Sequence, residues 1–80
     1  MKSAVITGAG SGVGCAMTQL FADQGAKVAA ISRRSESLRQ WVNVQNVVPI
    51  QADITRLEDI DRMIEEAERQ FGEYLRVDAA

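Results

Sequence analysis

Thr7-Gly8-Ala9-Gly10-Ser11-Gly12-Val13-Gly14 is the stretch on which the reading of this chain turns. Just before it stands Ala4-Val5-Ile6, a short apolar run with two β-branched residues. Such a run, stopped by glycine, reads as a strand buried on both faces. Just after it the period changes. Val13, Ala16, Met17, Leu20 and Phe21 fall at i, i+3, i+4, i+7 and i+8, one face of a helix. Gly25 stands where a helix C′ glycine belongs.

Three glycine motifs can be tried on this turn. A P-loop needs Gly-Lys followed by Ser or Thr, and there is no lysine here. The G-x-G-x-x-G spacing needs glycine at 13 or 15, which hold Val13 and Cys15. The spacing that fits is T-G-x-x-x-G-x-G, with Gly8, Gly12 and Gly14. Gly8 permits a tight turn off the strand, Gly12 lets backbone approach a pyrophosphate, and Gly14 lets the helix pack closely on the sheet. The free N–H groups and positive dipole end of the helix then face the anion.

Outward from the turn, Lys27–Ser32 reads as a second strand, although its alanines are weak strand formers. Ser35 is placed as N-cap of a short helix presenting Leu38, Trp41 and Val42. Val47-Val48-Pro49-Ile50 is a third strand, and Pro49, lacking an N–H, fits an edge. Thr55 and Glu58 match a capping box. Leu57, Ile60, Ile64, Ala67 and Phe71 follow as an apolar stripe with Met63 beside it, and Gly72 ends the helix. Glu58 with Arg62 and Glu65 with Arg69 are spaced as i,i+4 pairs. The order βαβαβα with short links predicts a Rossmann-type parallel α/β sheet of strand order 3-2-1, half of a doubly wound fold. Residues 1–72 form the expected dinucleotide-binding half-domain, and 73–80 a tail or the start of a following strand.

Composition narrows the function classes. The chain has 80 residues, 9 basic and 11 acidic, for a net charge of −2. One small domain or part of a larger one fits that length. The acidic balance argues against nucleic acid as a partner. Histidine is absent, which removes Ser-His-Asp and Cys-His nucleophiles and imidazole zinc sites. Cys15 is the single cysteine, so no internal disulfide or thiolate cluster forms and a reducing, cytoplasmic setting is expected. No run approaches the ~18 apolar residues of a membrane span, and no secretory leader is expected.

The end of the second strand selects the cofactor. An NAD site places Asp or Glu about 20 residues beyond the glycines, on the ribose hydroxyls. Here the strand ends Ile31-Ser32-Arg33-Arg34, and the nearest carboxylate is Glu36. A carboxylate would repel a 2′-phosphate, whereas arginine forks onto one. NADP(H) is therefore expected over NAD(H), with Arg33 ahead of Arg34.

With these residues in view, the sequence resembles the short-chain dehydrogenase/reductase family. The glycine turn carries the resemblance, together with Gly25-Ala26-Lys27-Val28, Ala52-Asp53-Ile54-Thr55 and Glu68-Arg69-Gln70-Phe71-Gly72. The resemblance implies that Asp53 faces the adenine amino group and that Ile54 packs near the ring. It also implies that Ser11, Gly12 and Val13 line the phosphates. Family members use an Asn, a Ser and a Tyr-x-x-x-Lys pair for catalysis. Here the one tyrosine, Tyr74, is followed four residues on by Asp78, and the lysines are Lys2 and Lys27. No catalytic or metal-binding residue is assigned within the 80 residues.

The expected function is the NADP(H)-binding N-terminal part of an oxidoreductase that exchanges hydride between nicotinamide and a carbonyl/alcohol pair. Truncated before the catalytic residues, the chain alone is expected to be inactive, and a full-length parent to be a homo-oligomer. The alternative is a non-enzymatic nucleotide-binding module or inactive remnant. A plain interaction domain must leave the glycine spacing and the arginine pair to chance. A half-fold is also expected to leave one sheet face and the edge of its first strand bare, and so to aggregate.

Overall fold

The computed structural model describes residues 3–78, and the side chains of residues 3–74. The elements are β1 (Ser3–Thr7), α1 (Gly12–Asp23), β2 (Lys27–Ser32), α2 (Ser35–Leu38) with a 3-10 turn (Arg39–Trp41), β3 (Val47–Gln51), α3 (Leu57–Phe71) and β4 (Leu75–Asp78). All strand pairs are parallel, in the order β3-β2-β1-β4. The 3-2-1 half of that order is the one the βαβαβα pattern predicts.

The fourth strand corrects the expected bare edge. β4 pairs with β1 in the register Ala4↔Leu75 through Thr7↔Asp78. β1 is thus an interior strand, and every residue from Ser3 to Thr7 is buried. The second sheet face is not bare either. Ile6, Val28, Ala30, Leu38 and Trp41 pack together on the α1/α2 side. On the opposite side Val5, Ala29, Ile31 and Ile50 pack against Met63 and Ala67 of α3. Fifteen residues of helix suffice to cover the face.

The buried side of α1 differs from the predicted stripe. Gly14, Thr18 and Ala22 face the sheet, Met17 and Phe21 are half-buried, and Val13 and Leu20 are 65% and 54% exposed. The sequence places bulk at Val13 and Leu20. The small residues instead set the face, because only they allow backbone-distance packing. Thr18 is tolerated there since its hydroxyl donates to Gly14 O at 2.8 Å.

The other corrections are local. Ser35 and Thr55 are not N-caps; Arg34 and Arg56 take those positions, without capping side-chain bonds. The i,i+4 ion pairs are replaced by Arg62–Asp59 and Arg69–Glu66 at i,i+3 and by Arg56–Glu58. Leu57 is 71% exposed and Val42 is exposed, while Met63 is the most buried apolar side chain of α3 after Ala67.

β3 is an edge strand, as Pro49 requires. Val28 N–H donates to Asn46 O at 2.7 Å, and Ala52 N–H donates to Ser32 O at 3.0 Å. In a parallel ladder alternate residues serve one neighbour, so Val47, Pro49 and Gln51 turn their backbone groups outward. Pro49 has no N–H to offer, and Gln51 O already accepts from Arg62 Nη2 at 2.7 Å. Both features discourage another strand from pairing there.

Candidate functional site: a cleft at the carboxyl ends of the strands

The glycine turn is built by a few short contacts. Gly8 has φ +69°, a region that costs most residues strain. Its carbonyl accepts from Ser11 N–H at 3.0 Å and from the Ser11 hydroxyl at 2.7 Å. The same hydroxyl accepts from Gly14 N–H at 3.2 Å, so Ser11 is the N-cap of α1. Serine immediately before a helical pattern is the signal that could have identified this cap from sequence. Ala9 N–H donates to Ile31 O at 3.0 Å and ties the turn to the end of β2.

Two glycines here do opposite things. A methyl group at Gly14 would lie 2.0 Å from Gly8 O, so α1 can start against the turn only without one. A methyl at Gly12 would meet nothing within 4 Å. Gly12 instead presents bare backbone to open space, at the first turn of a helix whose leading N–H groups lie outside the intrahelical ladder.

Beside the turn is a cleft of about 480 Å³ at the carboxyl ends of β1, β2 and β3. In open α/β sheets ligands bind at that end. Gly8, Ser11, Ser32, Arg33, Arg34, Asp53 and Ile54, all expected site residues, line it. The structure does not bring Gly12, Val13 or Gly14 into its walls. Gly14 is buried beneath the turn, and Gly12 and Val13 are exposed beside it. Gly10, Ile31, Ser37, Ala52 and Thr55 also line the cleft, and the sequence reading did not single them out as site residues.

The polar groups divide into engaged and available ones. Ser32 Oγ accepts from Arg34 N–H at 3.2 Å. Arg33 O accepts from Gln51 Nε2 at 3.2 Å, which fixes the backbone beyond β2. Both guanidinium groups are exposed, and neither has an ion pair or hydrogen bond among the described residues. Asp53 Oδ1 accepts from Thr55 N–H at 2.9 Å and from the Thr55 hydroxyl at 2.6 Å, an Asx-turn. These two bonds, with Arg33 and Arg56 nearby, hold the Asp53 carboxyl below its ordinary range. No hydrogen bond from a described residue falls on Oδ2. Asp53 N–H donates to Asp59 Oδ2 at 2.9 Å, which pins the loop to the first turn of α3.

Elsewhere, Tyr74 is half-buried against the α3-side core and does not line the cleft. Cys15 donates to Gln40 Oε1 at 3.3 Å. Among the described residues no cluster could hold a metal ion, and no helix is long and apolar enough to cross a membrane.

Parallel strands, a capped glycine turn and a cleft at the strand ends define an α/β unit of the Rossmann type. Comparison with known proteins carries this further. The sequence matches the short chain dehydrogenase family over residues 2–78, and the chain belongs to that family. It is 39% identical over 74 residues to an uncharacterized oxidoreductase of Staphylococcus aureus (strain USA300), covering 89% of this chain and 32% of that protein. A short chain dehydrogenase from Bacillus anthracis superposes with TM-score 0.89 at 30% identity, covering 99% of this chain and 34% of that one. A 3-ketoacyl-(acyl-carrier-protein) reductase from Brucella melitensis, solved with NADH, gives TM-score 0.83 at 36% identity over 91% of this chain and 31% of that one. The chain therefore spans about a third of the length of these proteins.

Proposed function

We propose that this chain is the cofactor-binding part of a short-chain dehydrogenase-type oxidoreductase and that it prefers NADP(H) to NAD(H). When bound, the nicotinamide dinucleotide supplies reversible hydride exchange with a carbonyl/alcohol substrate. The chain's own residues bind and orient it. Gly8, Ser11, Gly12 and Val13, above the close contact at Gly14, receive the pyrophosphate. Asp53 keeps Oδ2 available as an acceptor for the adenine amino group, and Ile54 offers an apolar wall to the ring.

One observation carries the NADP(H) preference. β2 ends in Ser32, Arg33 and Arg34 with no carboxylate, and both arginines line the cleft with no hydrogen bond or ion pair of their guanidinium groups among the described residues. An unpaired arginine forks onto a phosphate with charge-assisted hydrogen bonds. The bound NADH in the Brucella reductase supports a nicotinamide dinucleotide for this cleft, and the arginines after β2 favour the 2′-phosphorylated one. The nearby Asp53 charge is offset by Arg33 and Arg56.

Hydride transfer in this family also needs a Tyr-x-x-x-Lys pair, which these 80 residues do not contain. The proposal thus assigns binding to this chain and no proton transfer. Calorimetric titration of NADP+ and NAD+ into the purified chain tests it. Tighter NADP+ binding is expected, and replacing Ser32 by Asp should reverse the order. Equal affinities, or tighter NAD+ binding by the unmodified chain, would refute the preference. A second reading, a nucleotide-binding module with no chemistry, is favoured only if NADPH-dependent carbonyl reduction is absent from every longer product of the same reading frame.

A further inference from the structure

Gly10 and Ser37 meet across the mouth of the cleft. A methyl group at Gly10 would lie 2.6 Å from Ser37 Cβ and 2.8 Å from Ser37 Oγ, and 3.4 Å from Ser32 Oγ. Two hydroxyls from different elements thus converge on one point at the rim of the glycine turn. Both serines line the same cleft as Arg33 and Arg34.

The Ser37 backbone is anchored and its hydroxyl is not. Its N–H donates to Arg34 O at 3.2 Å, and its carbonyl accepts from Gln40 Nε2 at 3.0 Å. Gln40 is held in turn by Cys15 from the first turn of α1. Ser32 Oγ already receives the Arg34 N–H. Ser37 Oγ makes no hydrogen bond among the described residues. A fixed backbone with an idle donor, set beside two unpaired guanidinium groups, is a preorganised place for an anion's oxygen.

We propose that Ser37 is a specificity-determining residue for the 2′-phosphate, donating its hydroxyl proton to a phosphate oxygen that Arg33 and Arg34 also hold. Gly10 is the companion requirement, since any side chain there would displace Ser37. This rests on the NADP(H) reading above, and adds to it a neutral donor from an element the β2 terminus does not include.

Calorimetric titration of NADP+ and NAD+ into the 80-residue chain and its S37A and G10A variants tests it. A hydrogen bond to a charged group is worth enough for about a tenfold or greater change in Kd. S37A should weaken NADP+ by about that factor and leave NAD+ within about twofold, and G10A, which displaces Ser37, should weaken NADP+ at least as much. Unchanged NAD+ affinity also shows that the fold is intact. S37T, which keeps the hydroxyl, should retain more NADP+ affinity than S37A. If S37A weakens the two cofactors equally, or neither, the role assigned to Ser37 is wrong while the preference of the unmodified chain stands. If the unmodified chain shows no preference, the NADP(H) reading fails and this inference with it.

Discussion

The contrast between Gly14 and Gly12 gives the sharpest prediction, because the same substitution should act on stability at one and on binding at the other. Alanine is favoured over glycine in a helix by about 1 kcal/mol. At Gly14 that gain is opposed by a methyl placed 2.0 Å from Gly8 O, 2.6 Å from Gly8 C and 3.1 Å from Ala9 Cα. These are backbone atoms, and the nearest is more than an ångström short of ordinary contact. Overpacking of this kind costs about 1–3 kcal/mol and occasionally more. Opening the contact also breaks the Gly14 N–H to Ser11 Oγ bond, a cap worth about 1 kcal/mol. The net expectation for Gly14→Ala is a loss of about 1–3 kcal/mol. For a domain of this size that lowers Tm by about 5–20 °C. Gly12→Ala has nothing to clash with and should leave Tm within about 5 °C. If the proposed pyrophosphate site is right, it should instead weaken dinucleotide binding by roughly tenfold, about 1.4 kcal/mol, because its methyl would intrude on the backbone approach. Thermal melting by circular dichroism and calorimetric titration separate the two effects. A Gly14→Ala protein melting within about 3 °C of the parent would refute the steric reasoning.

Three further expectations follow from particular contacts. Met63→Ala should cost about 2–5 kcal/mol in urea unfolding, since Met63 is 1% exposed on the sheet-facing side of α3; a change below about 1 kcal/mol would mean α3 does not cover that face. Pro49→Val gives the outward edge of β3 a free N–H, so sedimentation velocity should show more self-association than the parent; an unchanged monomer fraction would show that the edge is guarded by something else. Thr55→Val removes one of the bonds that depress Asp53, and the Asp53 carboxyl should titrate at higher pH by carbon-13 NMR. The linkage sign is fixed: a depressed carboxyl stabilises the fold above its unfolded value of about 3.9 and loses that contribution as pH falls through the folded value. The acid-dependent loss of stability should therefore be smaller in Thr55→Val, and an unchanged loss would place the depression elsewhere.

The sequence carried the architecture because its signals were periodic and local. Ala4-Val5-Ile6 before the glycines, Pro49 on an outer strand and the change of period after Gly12 each depend on a few neighbouring residues. They gave the 3-2-1 order and Gly8, Ser32, Arg33 and Arg34 of the cleft, whereas Ser11, Asp53 and Ile54 came from the family resemblance. What stayed hidden depends on contacts across the fold. Ser37 lies five residues beyond the end of β2, and only its approach to Gly10 makes it part of the cleft. Residues 73–80 read from sequence as either a tail or the start of a strand, because what decides between the two, the pairing of β4 with β1, is non-local.

The failed capping box shows how local rules compete. Thr55 and Glu58 have the right types at the right spacing, so the box is a fair expectation from sequence alone. Thr55, however, is also two residues after Asp53, and an aspartate binds the backbone and side chain two residues on. The Asx-turn takes both Thr55 donors. Glu58 is left to pair with Arg56, and Asp59, one residue further on, reaches back to Asp53 N–H. The turn that defeats the capping box also holds Asp53 in place with one oxygen engaged and the other open. Local geometry that looks like a missed helix start is therefore what fixes a carboxylate in the wall of the cleft. A helix capped by Thr55 would have left Asp53 without either bond.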